Sequence, residues 1–136
     1  MKTFKLKQLQ IVEFHTDAYK TVHIPLLDGL IINREDKENR WLIEAYTKPE
    51  LLDYFTQLKE NNSELIIHVK ITTESNELAT CITSIIAINQ IGDHINVLLL
   101  GTMTDQKTGK LERVLEKLVK EGNRGEDLLN KFKENL

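Results

Sequence analysis

The sequence predicts a mostly β protein, a small antiparallel barrel with one embedded helix, plus a C-terminal two-helix hairpin. Three observations carry this expectation. Apolar and polar residues alternate with period two in most of the first 104 positions, and turn signals separate the runs at short intervals. That alternation breaks once, at Leu51, Leu52, Phe55 and Leu58, which fall at helical spacing. After Thr104 the pattern changes for good: Leu111, Val114, Leu115, Leu118 and Val119 share one helix face.

The elements follow in order. Lys2 to Phe14 reads as a strand whose apolar positions switch from even (Phe4, Leu6) to odd (Leu9, Ile11), so a β-bulge is expected near Gln8. Thr21 to Leu27 is a second extended run. Asp28-Gly29 then reads as the turn of a hairpin leading into Leu30-Ile31-Ile32, with Pro25 near an edge or bulge. Asn33 to Asn39 is a longer hairpin loop before Arg40 to Tyr46, where Trp41, Ile43 and Ala45 share one face. Thr47-Lys48-Pro49-Glu50 has the form of a capping box, with Thr47 as N-cap, and Asn61-Asn62-Ser63 supplies the helix stop.

Leu65 to Thr73 reads as a half-buried strand, with Ile66, His68 and Lys70 on its outer face. Thr80 to Asn89 and His94 to Thr104 form a hairpin about Gly92-Asp93. Leu128, Leu129, Phe132 and Leu136 make a second helical stripe, joined to the first by Gly122-Asn123-Arg124-Gly125. Residues 1–104 are thus expected to form the barrel core and residues 105–136 the helical hairpin.

At 136 residues the chain has room for one compact domain and an appendage. With 40% hydrophobic and 29% charged residues it has the composition of a globular protein, and no apolar run approaches the ~20 residues of a membrane-spanning helix. The first fourteen residues contain no stretch that reads as a secretory signal, so a cytoplasmic protein is expected. A single cysteine, Cys81, can form neither an internal disulfide nor a cysteine-based zinc site, in keeping with a reducing compartment. Residues 11–104 hold 7 basic against 14 acidic side chains, which repels phosphate backbones and makes nucleic acid an unsuitable partner.

No reactive constellation stands out. The carboxylates of Asn33 to Asn39 are interrupted by Arg34, Lys37 and Arg40, which fits a salt-bridged turn better than a calcium loop. His15, His23, His68 and His94 show no ligand spacing, so no metal is expected. Cys81 sits in a β-branched run with no activating neighbour, and reads as a small core residue. There is no GxSxG, P-loop or GxGxxG pattern, and the glycines read as turn residues. Trp41 is expected inside the barrel, and the many Ile and Leu residues are expected to fill the interior.

The run from Ile24 through Asp28-Gly29 and Asn33-Arg34-Glu35-Asp36 to Trp41 and Ala45, with the opening Met1-Lys2-Thr3-Phe4-Lys5-Leu6, resembles the YwpF-like family of Firmicutes. The resemblance implies a β-barrel with a helix pair, similar in shape to the Hcp-type tube proteins of type VI secretion, and it carries no catalytic motif and no cofactor. Fold analogy of that kind does not transfer a secretion role.

The functional expectation is a non-enzymatic interaction or regulatory protein with a protein partner, self-association being left open. Its candidate interaction residues are Leu111, Leu115, Leu118, Leu129 and Phe132, the apolar stripes of the helical hairpin. The alternative is a small-molecule-binding barrel, and behind it an uncharacterised hydrolase. The apolar stripes also predict that the hairpin docks one side onto the barrel, because burying each Leu or Phe is worth ~1.5 to 3 kcal/mol.

Overall fold

The computed structural model describes residues 1–14, 18–104, 108–122 and 125–134, without the side chains of 108–112, 125 and 126. Among the described residues seven strands form one sheet: β1 (Lys2–Phe14), β2 (Tyr19–Ile24), β3 (Asp28–Asn33), β4 (Arg40–Thr47), β5 (Leu65–Ile71), β6 (Ala79–Ile91) and β7 (His94–Met103). The order β1-β3-β4-β7-β6-β5 closes into a six-strand barrel through β1–β5, every pairing is antiparallel, and β2 lies outside the ring against β1. A 3-10 turn (Pro49–Leu51) and helix α1 (Leu52–Asn61) link β4 to β5, and α2 (Thr108–Lys120) and α3 (Gly125–Glu134) follow β7. No described helix is long and apolar enough to cross a membrane.

β1 organises the ring. Its first residues pair with β3, its last with β2, and its middle with β5 on the other edge. The slip expected near Gln8 is present: the β1–β5 register shifts between Leu6 and Gln8. Asp28-Gly29 is not a hairpin turn. β2 and β3 run in tandem along the same edge of β1, broken at Pro25–Leu27, and Asp28 and Gly29 are the first residues of β3, opposite Tyr46 and Ala45. The physical reason is Gly29's missing side chain, since a Cβ there would stand 2.9 Å from Leu6 Cβ. Asp28 Oδ1 meanwhile accepts from Lys5 Nζ (3.0 Å) and from the Gly29 N–H (2.8 Å).

Gly101 on β7 is likewise not a turn residue but a point of close strand approach, whereas Gly92 (φ +58°) makes the expected tight β6–β7 turn. Thr47 does not cap α1 either. It is the buried last residue of β4, its hydroxyl donates to the Pro25 carbonyl (2.5 Å), and the 3-10 turn begins at Pro49 with no side-chain cap. The tie to the β2–β3 break claims the hydroxyl that the capping box would have used.

The interior is a single aliphatic cluster that includes Leu6, Leu9, Ile11, Ile31, Ile43, Ile67, Val97 and Leu99, with Phe55 of α1 completing it. Trp41 is not fully inside. It is half-buried at the start of β4, packed on the margin of this cluster with its ring 6.2 Å from that of Phe4.

A second apolar cluster lies on the outer wall, where Val12, Ile66 and Ile82 meet Leu115, Leu118, Leu128, Leu129 and Phe132. β5 is therefore buried on both faces from Leu65 to Val69, not half-buried, because the helical pair covers its outer side. Docking of the helices onto the barrel is thus observed, on the wall made by β1, β5 and β6.

Candidate functional site

The helical stripes come first, since the sequence places its candidate residues there. Leu115, Leu118, Leu129 and Phe132 are brought together at 0, 3, 7 and 0% exposure, facing Val12, Ile66 and Ile82. They are spent on the barrel wall, and in this arrangement no partner can reach them. The Leu111 side chain lies outside the described residues.

The opposite wall carries no such cover among the described residues. On β3, β4, β7 and β6 the register aligns three rows of outward-facing side chains: Ile32, Leu42, Leu100 and Ser84; Leu30, Glu44, Leu98 and Ala87; Asp28, Tyr46, Asn96 and Asn89. They face outward because the alternate residues Ile31, Ile43, Ala45, Val97 and Leu99 point into the core. Leu30, Ile32, Leu42, Leu98 and Leu100 are half-buried by one another and belong to neither apolar cluster. A bulge between Ile85 and Ala87 adds Ile86, which is 47% exposed.

One carboxylate sits within this aliphatic face. Glu44 is flanked across the strands by Leu30 and Leu98 and along β4 by Leu42 and Tyr46. Its Oε1 accepts from the Tyr46 hydroxyl (2.5 Å) and from Asn96 Nδ2 (2.7 Å), both neutral donors. The Glu44 bond pushes the Tyr46 phenol above its ordinary pKa, since ionisation would set two negative charges side by side. Asn96 is 4% exposed, and among the described residues its Oδ1 has no hydrogen-bond partner. Chemically the cluster can take up donors and positive charge.

Two further concavities lie off the barrel interior. A cleft of about 290 Å³ opens between the end of β1, the end of α1 and α3, with Val12, Leu58 and Leu129 on its walls and Glu13 and Glu64 among its polar groups. Glu13 accepts from the Tyr54 hydroxyl (2.5 Å), and Glu64 pairs with Lys133 (2.5 Å). A groove of about 380 Å³ runs between β2 and α2, beside the edge of β2 that pairs with no described strand. That edge is short and carries Lys20 and His23, the kind of protection that discourages strand addition.

The remaining titratable residues stay apart. His68 is buried with Nδ1 2.8 Å from Thr80 Oγ1, His94 packs edge-on to Tyr46 at 5.7 Å, His23 is exposed on β2, and His15 lies outside the described residues. Among the described residues no three His, Cys, Asp or Glu side chains are grouped to hold a metal. Asp36 is held below the ordinary carboxylate range by the Arg40 backbone N–H and then by the Arg40 guanidinium, at 2.9 Å each, so the Asn33–Asn39 loop is the salt-bridged turn its sequence suggests. Cys81 is buried in the barrel, and desolvation pushes its thiol up to about 12.

Placing Trp41, Ile43 and Ala45 on one strand face leaves Leu42, Glu44 and Tyr46 on the other, and the sequence attaches no role to them. The signal was Asn96, a polar residue between Ile95 and Val97 in the middle of an otherwise aliphatic strand. Only the register shows that it lies beside Glu44.

These features define a β-barrel protein buttressed on one wall by a helical pair and open on the other. Within that class the chain belongs to the YwpF-like protein family, whose model matches residues 2–135. It is 43% identical to the uncharacterised protein YwpF of Bacillus subtilis (strain 168) over 136 residues, the whole of both chains. The crystal structure of a hypothetical protein from Staphylococcus aureus is similar to it with a TM-score of 0.72 and 29% identity, covering 98% of this chain and 91% of that one.

Proposed function

We propose that this protein is a non-enzymatic, cytoplasmic interaction module and that it docks a protein partner on the open face of β3, β4, β7 and β6. The observation that carries the reading is the row of half-buried aliphatic residues, Leu30, Ile32, Leu42, Leu98 and Leu100, outside both cores, with Ile86 exposed beside them. Contiguous apolar surface of this kind marks interaction sites in proteins that otherwise cover it. The protein covers the equivalent residues Val12, Ile66 and Ile82 with its own helices. The acidic central body supports a protein in place of a nucleic acid, and the lone buried thiol supports a reducing compartment. The analogy of shape to Hcp-type proteins supplies no assembly role here.

The test is affinity capture from native cells with the full chain, compared with Leu98→Asp and Ile86→Asp. A partner held by the parent protein and lost by both folded variants supports the docking face. A partner held equally by all three moves the interaction elsewhere.

A second reading, small-molecule binding, is favoured by the cleft at Val12, Leu58 and Leu129 and not by the barrel interior, which its own side chains occupy. Ligand-induced shifts confined to those residues would support it.

A further inference from the structure

The open face has a chemical defect that suggests its occupant. A half-buried carboxylate between leucines loses hydration, and such groups are ordinarily paired with a cation. Glu44 has no cation within ion-pair distance among the described residues, in contrast to Asp28, Asp36 and Glu64, each of which has a Lys or Arg, and to Glu35, which meets the Met1 ammonium. Both of its protein donors end on Oε1, although a carboxylate offers roughly four acceptor positions over two oxygens. Asn96 adds a second unmet acceptor: its Nδ2 is committed to Glu44, and its Oδ1, on a side chain more than nine-tenths buried, is matched by no donor. An orphaned acceptor costs free energy in proportion to its desolvation. The site thus lacks one positive charge and more than one N–H.

We infer that the open face takes a protein segment that presents a single arginine from an apolar surface, its guanidinium ending on the Glu44 carboxylate and its neighbouring side chains on Leu30, Leu98 and Leu100. The inference rests on the docking face proposed above and adds the chemistry of the occupant. Arginine fits better than lysine because a planar fork matches the two oxygens of a carboxylate and sheds water more readily than an ammonium. A second copy of this chain fits poorly. The basic side chains nearest in register, Lys5 opposite Leu30 and Arg40 at the start of β4, are already paired with Asp28 and Asp36, and a two-fold pairing of this face would set Glu44 towards its own copy.

The probes are octylguanidinium, octylammonium and octanol, titrated into the full-length protein and followed by calorimetry and by amide and side-chain shifts. Octylguanidinium is expected to shift Glu44, Tyr46 and Asn96 and to bind about tenfold more tightly than octanol, the worth of one charge-assisted hydrogen bond. Octylammonium should fall between them. E44Q keeps an acceptor for Tyr46 and Asn96, and it should erase the advantage of octylguanidinium over octanol. On the parent protein the advantage should shrink with added salt.

The arginine is overturned, and the docking face kept, if all three probes shift Leu30 and Leu98 with equal affinity or if the advantage survives E44Q. Both readings fall if no probe perturbs this face. Dimerisation of the protein alone that Ile86→Asp abolishes would overturn the inference in favour of a second copy.

Discussion

Gly101 and Ile82 approach so closely that a Cβ on Gly101 would stand 1.9 Å from the Ile82 carbonyl oxygen and 2.6 Å from Thr83 Cα. The obstacle is backbone on the paired strand β6, so neither a rotamer change nor a flexible tip can relieve it. Gly101→Ala must therefore part β6 from β7 near the rim where Trp41 packs on the other side. Overpacking of this kind typically costs ~1 to 3 kcal/mol or more. Urea unfolding should show a midpoint well below that of the parent protein, whereas Gly92→Ala should cost only the strain of its positive φ. Equal midpoints for Gly101→Ala and the parent would contradict the close approach.

Gly101 also shows where sequence reasoning stops. Period-two runs, the helix at Leu52–Asn61, the bulge near Gln8 and the two-stripe hairpin were legible because each depends on residues close in the chain. Asp28-Gly29 was misread because a turn dipeptide and a glycine forced by a neighbouring strand look alike until Leu6 is known to lie against it. The burial of Ile66 on the outer face of β5 was hidden for the same reason, since the covering helices arrive some fifty residues later. The open face is the extreme case. Glu44 and Asn96 are 52 residues apart, and their hydrogen bond exists only through the β4–β7 register.

The phenols give a titration test. Tyr54 is raised well above the ordinary phenol range, first by burial and then by its bond to Glu13, and Tyr46 is raised first by its bond to Glu44. A folded-state pKa above the unfolded value contributes stability that is fully present below about pH 10 and is lost as pH climbs towards the folded pKa. Absorbance at alkaline pH should show these two phenols ionising late, with unfolding overtaking Tyr54. Tyr54→Phe should flatten the fall of the melting temperature above pH 10. Titration of every tyrosine at the ordinary value in the folded protein would refute the two bonds.

Cys81 should behave as a core residue. Its thiol is pushed up to about 12 by desolvation, so at pH 8 the thiolate that an alkylating or disulfide reagent needs is nearly absent. Native protein should stay unmodified, and one equivalent should react once urea unfolds the barrel. Rapid labelling of the folded protein at pH 8 would mean that β6 opens or that the thiol is activated.

The helical pair supplies the last and largest expectation. Phe132 is fully buried against the barrel wall, and Leu115, Leu118 and Leu129 surround the same contact with Ile66 and Ile82. Removing a buried phenylalanine typically costs ~3 to 5 kcal/mol when the site cannot collapse, so Phe132→Ala should lower the melting temperature markedly. Lys133→Ala tests the neighbouring ion pair to Glu64; that pair is partly exposed, and such pairs contribute ~0 to 1 kcal/mol. The contrast between adjacent positions separates apolar docking from an electrostatic clasp. Ending the chain after Thr108 should go further, baring Val12, Ile66 and Ile82 to solvent and making the protein bind a hydrophobic dye. A shortened protein that melts at the full-length temperature and binds no dye would show that the wall is stable uncovered, and the helices would then be held in reserve for a partner.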